Sequence, residues 1–152
     1  MPIGNYFGRD HVTHIDADDI TRLRAAIGRL SRQLNASVTD VGFSPSQLSV
    51  LGTVARRGPI GIGELAELEG INPTMLSRVV GKLSDADLIE RIADPDDGRA
   101  VVVQTTAAGR KLHLRVQEQR SKAIAARLQK MPEGQAAQLV AALPALEALS
   151  AR

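Results

Sequence analysis

One segment of the chain, Pro73–Ala86, places small hydroxyl and basic side chains on a single face of a predicted helix. Its apolar residues recur at i, i+3, i+4 and i+7, the spacing of a buried helix face: Leu76, Val79, Val80 and Leu83. At about 100° per residue, the opposite side of the helix carries Thr74, Arg78, Gly81 and Asp85, and Ser77 and Lys82 flank it. Arginine can donate two hydrogen bonds to O6 and N7 of guanine, and hydroxyls can bond base edges or phosphates. This face therefore has the chemistry to read a DNA groove.

Many surface helices have a polar face without a function, but two features distinguish this one. Its exposed residues are small, whereas a solvated helix is usually rich in Glu, Lys and Gln. Gly81 in mid-helix costs about 1 kcal/mol relative to alanine, and close approach of another surface explains its presence. Asn72 is the predicted N-cap, so the first turn offers free N–H groups and a positive dipole end to a phosphate. Met75 lies at the edge of the apolar stripe and is predicted to belong to the core.

A second candidate site is the turn between two apolar, β-branched runs. Leu88–Ala93 and Ala100–Thr105 are predicted strands, and Asp94-Pro95-Asp96-Asp97-Gly98-Arg99 has the residue types of a tight reversal. Arg99 follows Asp97 at a spacing that lets the carboxylate hold the guanidinium while it enters a narrow minor groove. The alternative is an ordinary hairpin whose surface Arg–Asp pair contributes about 0–1 kcal/mol.

A helix pair and a hairpin are needed to position these two candidate sites. Ile62–Gly70 is predicted to be a short amphipathic helix, and a tight turn joins it to Pro73–Ala86. Ser44-Pro45-Ser46-Gln47 is a capping box that starts an earlier helix, and Ile60-Gly61-Ile62 predicts a short strand at the base of the hairpin. The layout is that of a winged helix-turn-helix over residues 44–106, with one helix in the major groove and the hairpin beside it.

Longer predicted helices flank this region. Asp16 to about Val41 carries seven apolar residues in one continuous stripe: Ile20, Leu23, Ile27, Leu30, Leu34, Val38 and Val41. Thr106–Met131 predicts another helix, and a last, leucine-rich one runs from about Glu133 to Ala148. Pro144 should kink or split that last helix.

The stripe and the leucine-rich last helix expose more apolar surface than a small winged-helix core can cover. We therefore expect a homodimer, with residues 14–42 and 107–152 as dimerisation helices of a single domain over residues 1–152. The expected fold class is mainly α (α+β): a winged helix-turn-helix with a two-stranded wing plus N- and C-terminal dimerisation helices.

Composition argues against several other classes of protein. The chain has no cysteine, which excludes disulfides and a thiol redox sensor. The spacing of its histidines suggests no metal site, and no nucleophile–base set or phosphate-binding glycine loop points to an enzyme or a cofactor. No apolar run approaches the roughly 18 residues of a membrane span, and Met1–His14 lacks the apolar core of a secretory signal. We expect a soluble, cytoplasmic protein.

Net charge gives no support to DNA binding. Residues 60–110 contain five Lys and Arg against nine Asp and Glu, a balance of −4. Only the placement of individual basic residues can then favour DNA. This balance keeps an alternative open, a winged-helix protein-interaction module without DNA binding.

The helix pair, the wing and the segment after it resemble the multiple antibiotic resistance regulator (MarR) family of bacterial transcription factors. The wing followed by Thr-x-x-Gly is the most specific part of a resemblance that covers nearly the whole chain. The matching residues are Leu65-Ala66-Glu67, Gly70, Asn72-Pro73-Thr74, Ser77-Arg78-Val79-Val80, Leu83, Leu88-Ile89-Glu90-Arg91, Asp94, Asp96, Asp97, Arg99 and Thr106-Ala107-Ala108-Gly109. Two residues depart from the family pattern. Asp87 stands where glycine is usual but tolerates a left-handed conformation, and Thr105 stands where leucine is usual.

The resemblance implies a homodimer that binds a double-stranded, pseudo-palindromic DNA operator and commonly represses transcription. Such regulators release DNA when a small, often phenolic or anionic, effector binds between the dimerisation and DNA-binding regions. By position, Arg99 would enter the minor groove and Asp97 would orient it, while the major-groove contacts would be Thr74, Ser77, Arg78 and Lys82. With the helix cap and the wing tip, the expected DNA-binding residues are Asn72, Thr74, Ser77, Arg78, Lys82, Asp97, Gly98 and Arg99. The sequence identifies no effector-binding residues.

Overall fold

The computed structural model describes residues 15–151, so the N-terminal segment in which we predicted no secretory signal lies outside the described residues. The described part divides at Gln33 into two compact units. Its elements are α1 (Ala17–Ala36), α2 (Pro45–Arg57), β1 (Ile60–Gly61), α3 (Ile62–Glu69), α4 (Pro73–Asp85), β2 (Ile89–Ala93), β3 (Val101–Thr105), α5 (Ala107–Leu128), α6 (Gln135–Ala141) and α7 (Leu143–Ser150). In this part of the chain, no helix combines the length and apolarity needed to cross a membrane.

Helix α1 starts as predicted but ends at Ala36, well before the predicted end at Val41. The Asp16 carboxylate accepts a hydrogen bond from the backbone N–H of Asp19, which caps the first turn. Asp40 and Gly42 have φ angles of 57° and 74°, in the left-handed region, so the helix does not continue through them. Four apolar residues of the predicted stripe are exposed in the single chain: Ile20, Leu23, Ile27 and Leu30.

The hydrophobic core lies among α2, α3, α4 and the sheet. Its fully buried side chains come from all of these elements and include Val50, Leu51, Leu65, Leu76, Val80, Leu83 and Val103. Helix α2 begins with the predicted capping box, in which Ser44 and Gln47 each bond the other's backbone N–H. The Thr53 hydroxyl joins α2 to α3 by donating to Glu69 Oε1 over 2.5 Å. Packing and this hydrogen bond therefore hold α3 against α2.

The sheet is antiparallel with strand order β1-β3-β2. Ile60 pairs with Val103, which confirms the short strand predicted at the base of the hairpin. Arg91 also pairs with Val103, and Ala93 with Val101, so β2 and β3 form the predicted two-stranded wing. The outer end of this wing extends beyond β1 and carries the turn at Asp94–Ala100.

Two backbone segments approach closely where β3 passes into α5. The Thr106 hydroxyl donates to the Asp87 carbonyl over 2.6 Å and accepts from the Gly109 N–H over 3.0 Å. The Thr106 N–H donates to the Leu88 carbonyl over 3.1 Å. A Cβ added to Gly109 would overlap that same carbonyl oxygen. Asp87 has a φ of 57°, so the turn adopts the left-handed conformation that the family's usual glycine favours.

A second junction joins α2 to α5 at His113, whose imidazole lies beside Gly52. The Gln117 amide nitrogen is 3.2 Å from its Nε2 atom. Burial, followed by the positive charges of Arg56 and Arg120, lowers the pKa of His113. The folded protein therefore favours neutral His113.

We expect the free energy of unfolding to fall as the pH drops below about 6.5, the ordinary histidine pKa. Below this pH, His113 takes up a proton in the unfolded chain, whereas the folded protein disfavours that protonation. The stabilisation from neutral His113 is therefore complete above the unfolded-state pKa and is lost as the pH falls through the lowered folded-state pKa. Urea denaturation across this range checks the effect. The variant His113→Gln should show a weaker pH dependence, and an unchanged one would contradict the assignment to His113.

The C-terminal region consists of two helices where one interrupted helix was predicted. Pro144 stands in the first turn of α7, where its missing N–H costs no helical hydrogen bond, and α6 ends at Ala141 just before it. The predicted split is confirmed. These two helices leave five large apolar side chains exposed in the single chain: Leu139, Val140, Leu143, Leu146 and Leu149.

Candidate nucleic-acid interface

Helix α4 presents the face that the sequence predicted. Leu76, Val80 and Leu83 are fully buried and Val79 is half-buried, so the helix packs on the core along one side. The other side exposes Thr74, Ser77, Arg78 and Lys82. The Ser84 hydroxyl donates to the Ile89 carbonyl over 2.9 Å and fastens the end of α4 to the start of the wing. The four polar residues therefore share one accessible surface of a helix fixed by its buried side.

Asn72 lies at the start of this helix and acts on its backbone. Its side-chain oxygen accepts the backbone N–H of Met75 over 2.8 Å, and its carbonyl accepts that of Leu76 over 3.0 Å. This is the predicted N-cap. The side chain thus orients the first turn of α4.

The wing turn is held by hydrogen bonds to its own backbone. The Asp94 N–H donates to the Ala100 carbonyl, and the Ala100 N–H to the Asp97 carbonyl, both over 2.9 Å. Asp94 Oδ1 also accepts the N–H of Asp96. Gly98 lies in this turn, between Asp97 and Arg99. These bonds fix the loop that carries Arg99.

The link between Asp97 and Arg99 differs from the predicted ion pair. Asp97 Oδ1 accepts the backbone N–H of Arg99 over 3.1 Å. Within the wing, which the structure describes throughout, these two side chains form no ion pair. A two-residue spacing in a tight turn brings the carboxylate to the nearer backbone N–H. Asp97 therefore positions the Arg99 backbone and leaves the guanidinium available.

The charges of this surface are not neutralised by neighbours. The ion pairs within the described residues are Asp19–Arg22 on α1 and Glu118–Lys122 on α5. Arg78, Lys82 and Arg99 take part in neither. On α4 and the wing, four cations therefore have no ion-pair partner among the described residues, Arg78, Lys82, Arg91 and Arg99, although the segment around them is net acidic.

One residue of this surface differs from the prediction. Met75 was predicted to belong to the core, but its side chain is 55% exposed. It occupies the third position of α4, about 100° from Leu76, where the buried stripe has already ended. The angular position of Met75 on the helix could have indicated its exposure, but the prediction gave more weight to its apolar side chain.

Comparisons with known proteins agree with this architecture. The MarR family model matches residues 43–101. An HTH-type transcriptional regulator of Mycobacterium bovis is 36% identical over 113 residues, which cover 74% of this chain and 79% of that protein. The crystal structure of RV1404 from Mycobacterium tuberculosis is 28% identical with a TM-score of 0.75, covering 90% of this chain and 96% of that one.

A further solved structure shares the fold at lower identity. It is the Mycobacterium tuberculosis MarR family protein RV2887 in complex with p-aminosalicylic acid, with a TM-score of 0.66 at 22% identity. The matched region covers 84% of this chain and 96% of RV2887. The MarR family model matches the helix pair and most of the wing, and the M. bovis regulator is similar over most of its length. Together these two similarities establish the family of this chain. The chain belongs to the MarR family of winged helix-turn-helix proteins, and it is a DNA-binding transcriptional regulator and not an enzyme.

Proposed function

We propose that this regulator is a repressor that binds a pseudo-palindromic operator as a homodimer and leaves it when a small effector binds. The observation that carries the proposal is the accessible polar face of α4, on which Arg78 and Lys82 have no ion-pair partner. Residues 44–106 would form the DNA-binding region. A regulator bound across a promoter in this way would exclude RNA polymerase, which accounts for repression.

The residues take distinct roles on the DNA. Arg78 donates to a guanine edge in the major groove, while Thr74 and Ser77 bond base edges or phosphates. Lys82 neutralises a phosphate, and Arg99 enters the minor groove from the wing. Asn72 fixes the first turn of α4, and the wing turn with Asp97 and Gly98 holds the Arg99 backbone.

The homodimer is supported by the apolar surface at both ends of the chain. On α1, four side chains of the predicted stripe are between 44% and 57% exposed. On α6 and α7, five large apolar side chains are exposed, among them Val140 at 58% and Leu149 at 63%. A soluble protein rarely leaves such faces in water, and a second copy of the chain would cover them. Residues 14–42 and 107–152 would then be the dimerisation helices.

The effector is proposed to be a small phenolic or anionic molecule. Support comes from RV2887, which shares the fold and whose structure holds p-aminosalicylic acid, a phenol with a carboxylate. The same compound is a suitable first probe.

Selection of bound genomic fragments by the purified protein, followed by footprinting, tests the proposal. We expect protected sites with two related half-sites about one helical turn apart, and sedimentation should give a dimer. Added p-aminosalicylic acid should weaken binding to the selected site. Recovery of no specific fragment would overturn the operator, and a monomer in sedimentation would overturn the homodimer.

A further inference from the structure

The apolar side chain of Met75 is exposed on the first turn of α4. Between residues 44 and 106, all of which the structure describes, two large apolar side chains are exposed, Met75 and Val101, each by 55%. Met75 is not among the partly buried residues that pack on the core. The Asn72 side chain accepts a hydrogen bond from the Met75 backbone N–H, which fixes the position on the first turn of α4 from which the Met75 side chain extends.

Met75 shares a flank of the exposed face with two cations. Arg78 and Lys82 follow it at i+3 and i+7, which places all three along one line of the helix. The N-terminal residues of a recognition helix are the ones that come closest to base edges. Met75, third in the helix, therefore faces the same groove as Arg78. Because three residues rise about 4.5 Å, the two side chains would reach base pairs that are adjacent or one apart.

The major groove offers little to an apolar side chain. The base edges there present hydrogen-bond donors and acceptors, and the only apolar group on them is the C5 methyl of thymine. A thioether is a weak acceptor, but it is flexible and polarizable and adapts to a methyl group. We propose that Met75 reads a thymine in each half-site by packing on its C5 methyl, beside the guanine read by Arg78. This rests on the proposed function, since it requires α4 to lie in the major groove.

Replacing each operator thymine in turn by deoxyuridine tests this inference, because the substitution removes the methyl and keeps base pairing. For the wild-type protein, we expect one thymine per half-site at which deoxyuridine weakens binding about fourfold, the value of one buried methyl group. Substitution in both half-sites should weaken it about 15-fold. Met75→Leu should keep this difference, whereas Met75→Ala and Met75→Gln should lose it at that thymine alone.

Two control variants make the outcome specific. Val101→Ala removes an equally exposed apolar side chain and should leave the thymine response unchanged. Arg78→Ala should lose a guanine preference and keep the thymine response. A wild-type protein that binds its operator but responds to no thymine, or a Met75→Gln protein with an undiminished response, would overturn the inference and leave the proposed function standing. Failure to select any DNA would overturn both.

Discussion

Replacing Gly109 by alanine should lower the free energy of unfolding by about 3 kcal/mol, because the added methyl overlaps the Leu88 carbonyl oxygen. Backbone atoms cannot swing aside as a flexible side chain can, so α5 must move away from the end of the wing. That movement lengthens the hydrogen bonds from Thr106 to the Asp87 and Leu88 carbonyls, each worth about 0.5–1.5 kcal/mol. Urea denaturation monitored by circular dichroism measures the loss.

Gly81→Ala is the matched control, since Gly81 also lies in a helix but has open space where its Cβ would be. Intrinsic helix propensity favours alanine by about 1 kcal/mol in both cases, so Gly81→Ala should stabilise the fold. Opposite signs for the two substitutions would identify the contact at Leu88 as the cause. A neutral or stabilising Gly109→Ala would show that the junction between β3 and α5 can relax.

The helix pair and the wing could be predicted because their signals are local. The capping box at Ser44, the N-cap at Asn72 and the apolar spacing of α4 each act within a few residues, and the structure has all three. Pro144 splits the last helix for the equally local reason that proline lacks an N–H. The short strand β1 was predicted from the run Ile60-Gly61-Ile62, and it pairs with β3 as expected.

The differences arise where several local choices compete. At the end of α1, apolar spacing favoured a helix to Val41, but the helix ends at Ala36, and left-handed Asp40 and Gly42 lie beyond it. At the wing, the spacing of Asp97 and Arg99 is compatible with a bond to either the side chain or the backbone, and the turn geometry selects the backbone. For Met75, its apolar character indicated core, whereas the position of the helix on the core exposes it. In each case, three-dimensional placement decides between alternatives that the sequence permits.

The close approach at Gly109 illustrates a related limit. The wing followed by Thr106-x-x-Gly109 is the most specific part of the resemblance, but residue types alone assign no contact to Thr106 or Gly109. The structure provides one: Thr106 bonds the chain at Asp87, and Gly109 admits the Leu88 carbonyl. The motif joins the exit of the recognition helix to the start of α5, so a change at this junction should reach the DNA-binding surface.

Removing the guanidinium of Arg78 should have the largest effect on operator binding. A bidentate contact to guanine is worth about 2 kcal/mol, so Arg78→Ala should cost about 4 kcal/mol over two half-sites, close to 1,000-fold in affinity. The preference for one base pair per half-site should be lost with it. Because the contact is to a base, the salt dependence of binding should change little, whereas Lys82→Ala should weaken all sequences and reduce the salt slope.

Arg22→Ala, which also removes one positive charge, is the control for Arg78→Ala. Arg22 on α1 has a 76% exposed side chain, and its Nη1 lies 3.9 Å from Asp19 Oδ1, so Arg22→Ala removes a cation outside the proposed DNA-binding region. Its effect on operator affinity should be small, because Arg22 lies outside residues 44–106 and is none of the proposed DNA contacts. If Arg78→Ala and Arg99→Ala both bind the operator as tightly as Arg22→Ala does, the proposed contacts are wrong. Another surface of the protein must then hold the DNA.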